Sequence, residues 1–290
     1  MLRKITVWAA ALGVLGALAV TPALAASTHK EPEEKVKEDS VRWSFEGPFG
    51  TFDQEQLQRG LKVYREVCSA CHSMNFVSFT ALGEKGGPLW NEKYPKASDS
   101  PYVKAFAKQY QIDDIDTETG DKIKRDGTPA DHFPAPFANE YAAKASNGGA
   151  LPPDMSLLAK AREGGPAYIY SIVTGYHDTP AGLTLAPGQH YNPYMPGDLS
   201  GSWAGDAKAV PEGGVIAMPP PLKPDAVTYD DGVKATVKQQ AEDVAAFLYW
   251  AAEPKQDQRK QIGLGVMIYL LLFSGLLYAV YRQVWKNESH

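Results

Sequence analysis

Both cysteines of this 290-residue chain fall within one five-residue stretch, Cys68-Ser69-Ala70-Cys71-His72. The pattern C-x-x-C-H is the attachment signature of a c-type haem. Its spacing has a physical reason. Two thiols on one helical turn reach the two vinyl groups of the porphyrin, and the next residue, His72, then lies under the iron as an axial ligand. Two cysteines are too few for a disulfide-rich scaffold or for a four-cysteine zinc or iron–sulfur site. A redox-active dithiol would want a βαβ setting, which the pattern of this chain lacks. Haem also bears on the fold, because a large flat apolar cofactor supplies a core around which long loops wrap.

Two uncharged runs bound the chain. Residues 5–20 follow Arg3 and Lys4 and end at Thr21-Pro22, after which Ala23-Leu24-Ala25 forms a small-x-small cleavage pattern. This is the anatomy of a secretory signal peptide, with an uncleaved anchor as the alternative. Residues 262–281, IGLGVMIYLLLFSGLLYAVY, carry no charge. As a helix they span roughly 30 Å, the thickness of a bilayer's hydrocarbon core. Tyr278, Tyr281 and Trp285 fall where an interfacial aromatic belt would sit. Basic residues flank both sides of this span, so the export signal decides orientation. The expected organisation is a signal peptide at 1–25, an exported haem domain at 26–261, a transmembrane anchor at 262–281 and a cytoplasmic tail at 282–290. That places the haem domain where c-type haem is attached, outside the cytoplasm.

Charge sharpens with this division. The whole chain has a formal net charge of −5. Setting aside Arg3, Lys4, Arg282, Lys286 and Glu288 leaves 25 basic against 33 acidic side chains, a net −8 for the exported part. An acidic domain of this kind argues against a nucleic-acid binder. It suits a basic protein partner instead. The densest acidic cluster is Asp113-Asp114-x-Asp116-x-Glu118.

Within the exported part, residues 51–67 read as a helix. Thr51 and Gln54 fit a capping box, and Leu57, Leu61, Tyr64 and Val67 form one apolar stripe leading to the cysteines. A short helix is expected from Asp154 as N-cap to about Arg162, stopped by Gly164-Gly165, and another over 167–174. Residues 179–224 are dense in Gly and Pro, so no long element fits. A further helix is expected over 233–252. Strand-like alternation is scarce, so the fold class expected is all-α, with long irregular loops around the haem and one C-terminal transmembrane helix.

The pattern leaves the sixth iron ligand open. Met74 is too near His72 to reach the opposite face, and Met155 is a further candidate. Met218, held extended in Met218-Pro219-Pro220-Pro221, stands modestly ahead of Met195 in Tyr194-Met195-Pro196. His132, His177 and His190 offer a bis-histidine alternative.

Longer stretches carry a resemblance. They include Trp43-Ser44, VYREVCSACHSM at 63–74, NGGALPPD at 147–154 and AREGGPAYIYSIVTGY at 161–176. They continue with YNPYMPG at 191–197, AMPPPL at 217–222, TYDDG at 228–232 and DVAAFLYWAAEP at 243–254. Together these resemble the cytochrome c1 family, the haem subunit of the cytochrome bc1 complex, over nearly all of the mature chain. The resemblance implies a class I cytochrome c-like haem domain and one covalent haem c on Cys68 and Cys71. It implies His72 and Met218 as axial ligands, Arg162 paired with a haem propionate, and Asn147, Pro152, Pro153 and Tyr168 lining the pocket. Residues 198–214 resemble an insertion of bacterial members. Some of those also carry an extra cysteine pair, which this chain lacks.

The implied role is electron transfer within ubiquinol–cytochrome c reductase, from the Rieske iron–sulfur subunit to a soluble, basic c-type cytochrome, beside cytochrome b and membrane lipid. No catalytic acid, base or nucleophile and no nucleic acid are implied. The implied location is the bacterial inner membrane, single-pass, with the haem domain in the periplasm. A free-standing anchored electron carrier and a haem enzyme or gas sensor with an open iron position are the alternatives.

Overall fold

The computed structural model describes residues 41–287. The expected signal peptide at 1–25 lies outside the described residues, as do the charged lead-in at 27–40 and residues 288–290.

The first helix, α1 (Gln54–Val63), starts two residues later than the capping-box reading placed it. Asp53 is the N-cap, accepting from the Gln56 backbone N–H at 3.0 Å, so Thr51 lies outside the helix. A carboxylate next to the first turn also complements the helix dipole. Of the expected stripe, Leu57, Leu61 and Tyr64 are buried and Val67 is half-buried, while Val63, outside the stripe, is buried as well. The partner is α7 (Val237–Ala252), capped by Thr236 and buried over most of its circumference. The two helices cross closely because Gly60 has no side chain. A Cβ there would lie 2.1 Å from the Asp243 carbonyl oxygen and 2.6 Å from the Phe247 Cβ.

An ion network joins the same pair. Arg59 Nε donates to Asp243 at 3.1 Å and its Nη1 to Asp231 at 2.7 Å, while Lys62 reaches Asp230 at 3.0 Å. Asp243 is fully buried, and it also accepts from Gln239 Nε2 at 3.0 Å. TYDDG therefore supplies acidic partners for the outer face of α1.

Short elements complete the domain: α2 (Phe79–Leu82), α3 (Pro101–Ala107), α4 (Glu140–Ser146), α5 (Leu158–Ala161) and α6 (Pro166–Thr174). Nothing in the sequence pattern marks α2, α3 and α4, whose four to seven residues are too short to show a helical period. Tertiary contacts hold them. Phe133 is the hub of an aromatic cluster, with ring centroids 5.2 Å from Phe79, 5.5 Å from Tyr64, 5.9 Å from Phe106 and 5.6 Å from Tyr110.

The all-α expectation is corrected by two antiparallel pairs, β1 (Gln111–Ile115) with β2 (Lys122–Asp126), and β3 (His190–Asn192) with β4 (Gly214–Ile216). The domain is helix-rich rather than all-α. The first hairpin escaped notice because charge, not apolar alternation, pairs its strands. Asp113 lies 3.3 Å from Lys124, and Asp114 accepts from Arg125 at 2.5 Å. The acidic cluster is thus half neutralised within its own hairpin, leaving Asp116 and Glu118 at the turn. The 198–214 stretch builds a satellite core, where Leu199 packs with Leu183 and Tyr191 beneath Trp203, Val210 and Val215.

The apolar run lies inside one continuous helix, α8 (Gln256–Val284), whose apolar part is left uncovered by the rest of the described residues. Its first turns are tied to the domain. Gln256 and Lys260 both donate to the Phe45 carbonyl, at 2.8 and 2.6 Å, and Asp257 accepts from the Phe52 N–H at 3.2 Å. Lys255 pairs with Glu84 and Arg259 with Glu253.

Arg125 also grips Asp131 with two parallel bonds, 2.6 and 2.8 Å, tying the hairpin to the loop before Phe133. These bonds hold the Asp131 carboxyl well below the usual carboxylate range. A depressed folded pKa contributes stability that is complete above the unfolded value, about 3.9, and is lost as pH falls. Asp131→Asn should therefore lower Tm at pH 7, and the gap from wild type should shrink steadily as thermal scans move below about pH 4. A gap that is constant across that range would contradict the assignment.

Candidate haem site

Helix α1 runs into a π-helical stretch, Tyr64–Cys68, a geometry often found beside functional sites. The backbone N–H groups of Cys71 and His72 then both donate to the Cys68 carbonyl, at 3.1 and 2.9 Å. The turn thereby holds the two thiols and the imidazole on one short loop. Tyr64, buried in the core, donates its hydroxyl to the His72 carbonyl at 3.1 Å and fixes the far end of that loop.

The His72 ring is oriented by its Nδ1, 2.9 Å from the Pro153 carbonyl oxygen. A carbonyl only accepts, so the proton resides on Nδ1 and the lone pair on Nε2 is free for a metal. Burial lowers the His72 pKa, opposed by the Pro153 bond and the Asp154 charge. The imidazole is therefore neutral at pH 7, the state that a metal ligand requires. Burial, with Cys71 beside it, pushes the Cys68 thiol up to about 12. Dithiol exchange needs the opposite, a depressed thiol. The raised Cys68 thiol gives the redox-dithiol alternative no support.

Asp154 is not a helix N-cap, and α5 begins only at Leu158. Its carboxylate accepts from the Ser73 hydroxyl at 2.7 Å, the Asn75 N–H at 2.9 Å and the Ser156 N–H at 2.8 Å. The Met155 N–H adds a bond to the Ser73 carbonyl at 2.8 Å, and the Phe76 N–H one to the Ser156 hydroxyl at 3.0 Å. Residues 153–156 are thus zipped against 72–76. An Asp ahead of an apolar stretch looks like a cap in sequence, whereas the groups that need an acceptor here lie 79–81 positions away.

Among the methionines, Met74 and Met155 are buried in the core. Met195 is half-buried, and its sulfur accepts from the Tyr168 hydroxyl at 3.9 Å. Met218 is half-buried, and its carbonyl accepts from the Tyr176 hydroxyl at 2.9 Å. His132 and His177 are exposed. A cavity of about 520 Å³ is lined by Asn147, Gly148 and Ala150 on one side and by Ala217 and Pro219, the neighbours of Met218, on another; His190 also reaches it. Asn147 further donates its amide to the Ala143 carbonyl at 2.7 Å, closing the end of α4. Arg162 is exposed at the end of α5, and its guanidinium donates to the Ala161 carbonyl at 3.2 Å. Pro152 and Pro153 form the extended approach to Asp154. The sequence reading had Tyr64 only as a stripe residue and Tyr176 only within a motif. A buried Tyr whose hydroxyl needs a partner was the available signal.

The donor set fits a c-type haem: two free thiols on one short loop, followed directly by an imidazole with Nε2 free. Among the described residues one helix is long and apolar enough to cross a membrane, and with the attachment loop it defines a c-type haem protein with a candidate membrane span. The Cytochrome C1 family model matches residues 43–288. Cytochrome c1 of Rhodospirillum rubrum is 41% identical over 264 residues, covering 86% of this chain and 87% of that protein. Mitochondrial cytochrome c1, heme protein, of Saccharomyces cerevisiae is 43% identical over 248 residues, covering 85% and 72%. A Bradyrhizobium diazoefficiens protein named Cytochrome b/c1 is 42% identical over 277 residues, which are 89% of this chain and 37% of that longer protein. The chain belongs to the cytochrome c1 family and carries its covalently attached haem c.

Tyr64→Phe should keep the core packing and lose the bond to the His72 carbonyl. Denaturant unfolding should show a loss of about 1 kcal/mol; an unchanged midpoint would mean that the hydroxyl holds nothing.

Proposed function

We propose that this chain is the electron-transfer subunit of a ubiquinol–cytochrome c reductase. The observation that carries the reading is His72, held by the Pro153 carbonyl with Nε2 free beside Cys68 and Cys71. In this reading Cys68 and Cys71 would form the thioether bonds, and His72 and Met218 would ligate the iron. Arg162 pairs with a propionate, while Asn147, Pro152, Pro153 and Tyr168 line the pocket of a class I cytochrome c-like domain. When bound, the haem supplies one-electron exchange between ferrous and ferric iron, taking electrons from the Rieske iron–sulfur subunit and giving them to a soluble basic c-type cytochrome. The chain's own residues position and insulate. His72 is kept neutral and oriented, Tyr176 holds the Met218 backbone, and the aromatic cluster around Phe133 excludes water behind the attachment loop. No acid, base or nucleophile of its own enters the reaction, so it is a relay within the enzyme.

The setting follows from the same parts. The 1–25 segment is removed as a signal peptide, 26–261 is the periplasmic haem domain, 262–281 crosses the bacterial inner membrane among its lipids, and 282–290 stays in the cytoplasm. Cytochrome b is the neighbour expected in the membrane. Gentle detergent purification with haem staining should recover a b-type cytochrome and an iron–sulfur protein with this chain. Recovery of the chain alone would favour a free-standing carrier.

Methionine ligation raises the haem potential and closes the iron. Met218→Leu should lower the potential sharply in a redox titration and let carbon monoxide alter the reduced spectrum. An unchanged titration would remove Met218 from the ligand set. Partner docking has its own test. Neutralising Asp113, Asp116 and Glu118 while leaving the Asp114–Arg125 pair intact should flatten the salt dependence of reduction of a basic cytochrome, because steering by complementary charge is screened by salt.

A further inference from the structure

The zipper behind His72 contains one charge that the haem reading does not use. The Asp154 carboxylate is half-buried and takes hydrogen bonds from Ser73, Asn75 and Ser156 at 2.7–2.9 Å. Among the described residues it forms no ion pair, so no neighbouring cation cancels it. It directly follows Pro153, whose carbonyl holds His72 Nδ1. The same side chain also fixes Ser73 and Asn75, one and three residues beyond His72 on the attachment loop. It therefore pins the His72 ring from two directions and places a fixed negative charge behind it.

We infer that Asp154 is a positioning residue that acts on the haem iron through His72: its hydrogen bonds set the ligand's orientation, and its charge favours the oxidised iron, holding the reduction potential below that of a neutral site. The physical basis is Coulombic. Oxidation adds a positive charge at the iron, and a carboxylate in a partly desolvated site stabilises it more than a solvated one would. Burial works against the Asp154 charge, yet the bonds from Ser156, Asn75 and Ser73 outweigh it and keep the carboxyl below the usual carboxylate range. The charge is thus constant across the working pH range, and its effect is an offset in potential. The inference rests on His72 as ligand, as proposed above.

The test is a redox titration of the purified full-length holoprotein, with its absorption spectrum recorded in parallel. Asp154→Asn keeps the shape and loses the charge. At a fixed ambient potential its reduced-to-oxidised ratio should rise about tenfold, which is 59 mV for a one-electron couple. Asp154→Glu keeps the charge and should stay within about threefold of wild type. Ser73→Ala removes one clamp bond, keeps the charge, and should shift the ratio less than about twofold. An Asp154→Asn titration that matches wild type, with a native spectrum, overturns the inference while leaving His72 as ligand intact. A wild-type spectrum without histidine ligation of the iron overturns the His72 assignment, and the inference with it. Should Asp154→Asn fail to load haem, Asp154→Ser is the second neutral variant, judged by the same tenfold rise. Loading by Asp154→Glu alone supports the need for the charge. Failure of all three substitutions at Asp154 means that the residue serves folding only, and the inference falls.

Discussion

The close crossing of α1 over α7 is the constraint on which the rest of the domain depends. Gly60 lets the two backbones approach to a distance that a single methyl group would block. Arg59 then meets the fully buried Asp243 from the side of the same contact. A buried carboxylate without its partner is costly, so the crossing and the ion network enforce one register between the helices. That register decides where Tyr64–Cys68 emerges, and with it where both thiols and His72 are presented. The haem loop is placed by a helix pair rather than by its own short sequence.

A second set of bonds comes from far along the chain. The 153–156 segment joins 72–76 through side chains and backbone alike, giving His72 its tautomer, its orientation and its charged background. Electron transfer asks a protein for little motion and for a rigid, low-polarity setting around the redox group. A loop held on one side by a helix crossing and on the other by a hydrogen-bonded zipper meets that demand. The tie between the first turns of α8 and residues 45–52 extends the same rigidity to the start of the helix that is long and apolar enough to cross a membrane.

Much of this was legible in the chain. Cys68, Cys71 and His72 announce their chemistry through spacing. The 262–281 run announces its length, and the α1 stripe and α7 show a clear helical period. What stayed hidden has a common cause. The β1–β2 hairpin pairs charge with charge, so it showed none of the apolar alternation that marks a strand. Helices of four to seven residues carry too few turns for a period, and α2 and α3 are held where Phe79 and Phe106 pack with Phe133. Asp154 carried the local signature of a cap, and its real partners lie some 80 residues away.

The sequence by itself determined the attachment chemistry, the long helices and the candidate membrane span, since each depends on residues near one another along the chain. Only the tertiary structure decided which nitrogen of His72 is free, which side chains stand behind it, and how the acidic surplus is divided between internal pairs and open surface. Those outcomes depend on groups brought together from distant positions, and a linear pattern holds no record of who meets whom in three dimensions.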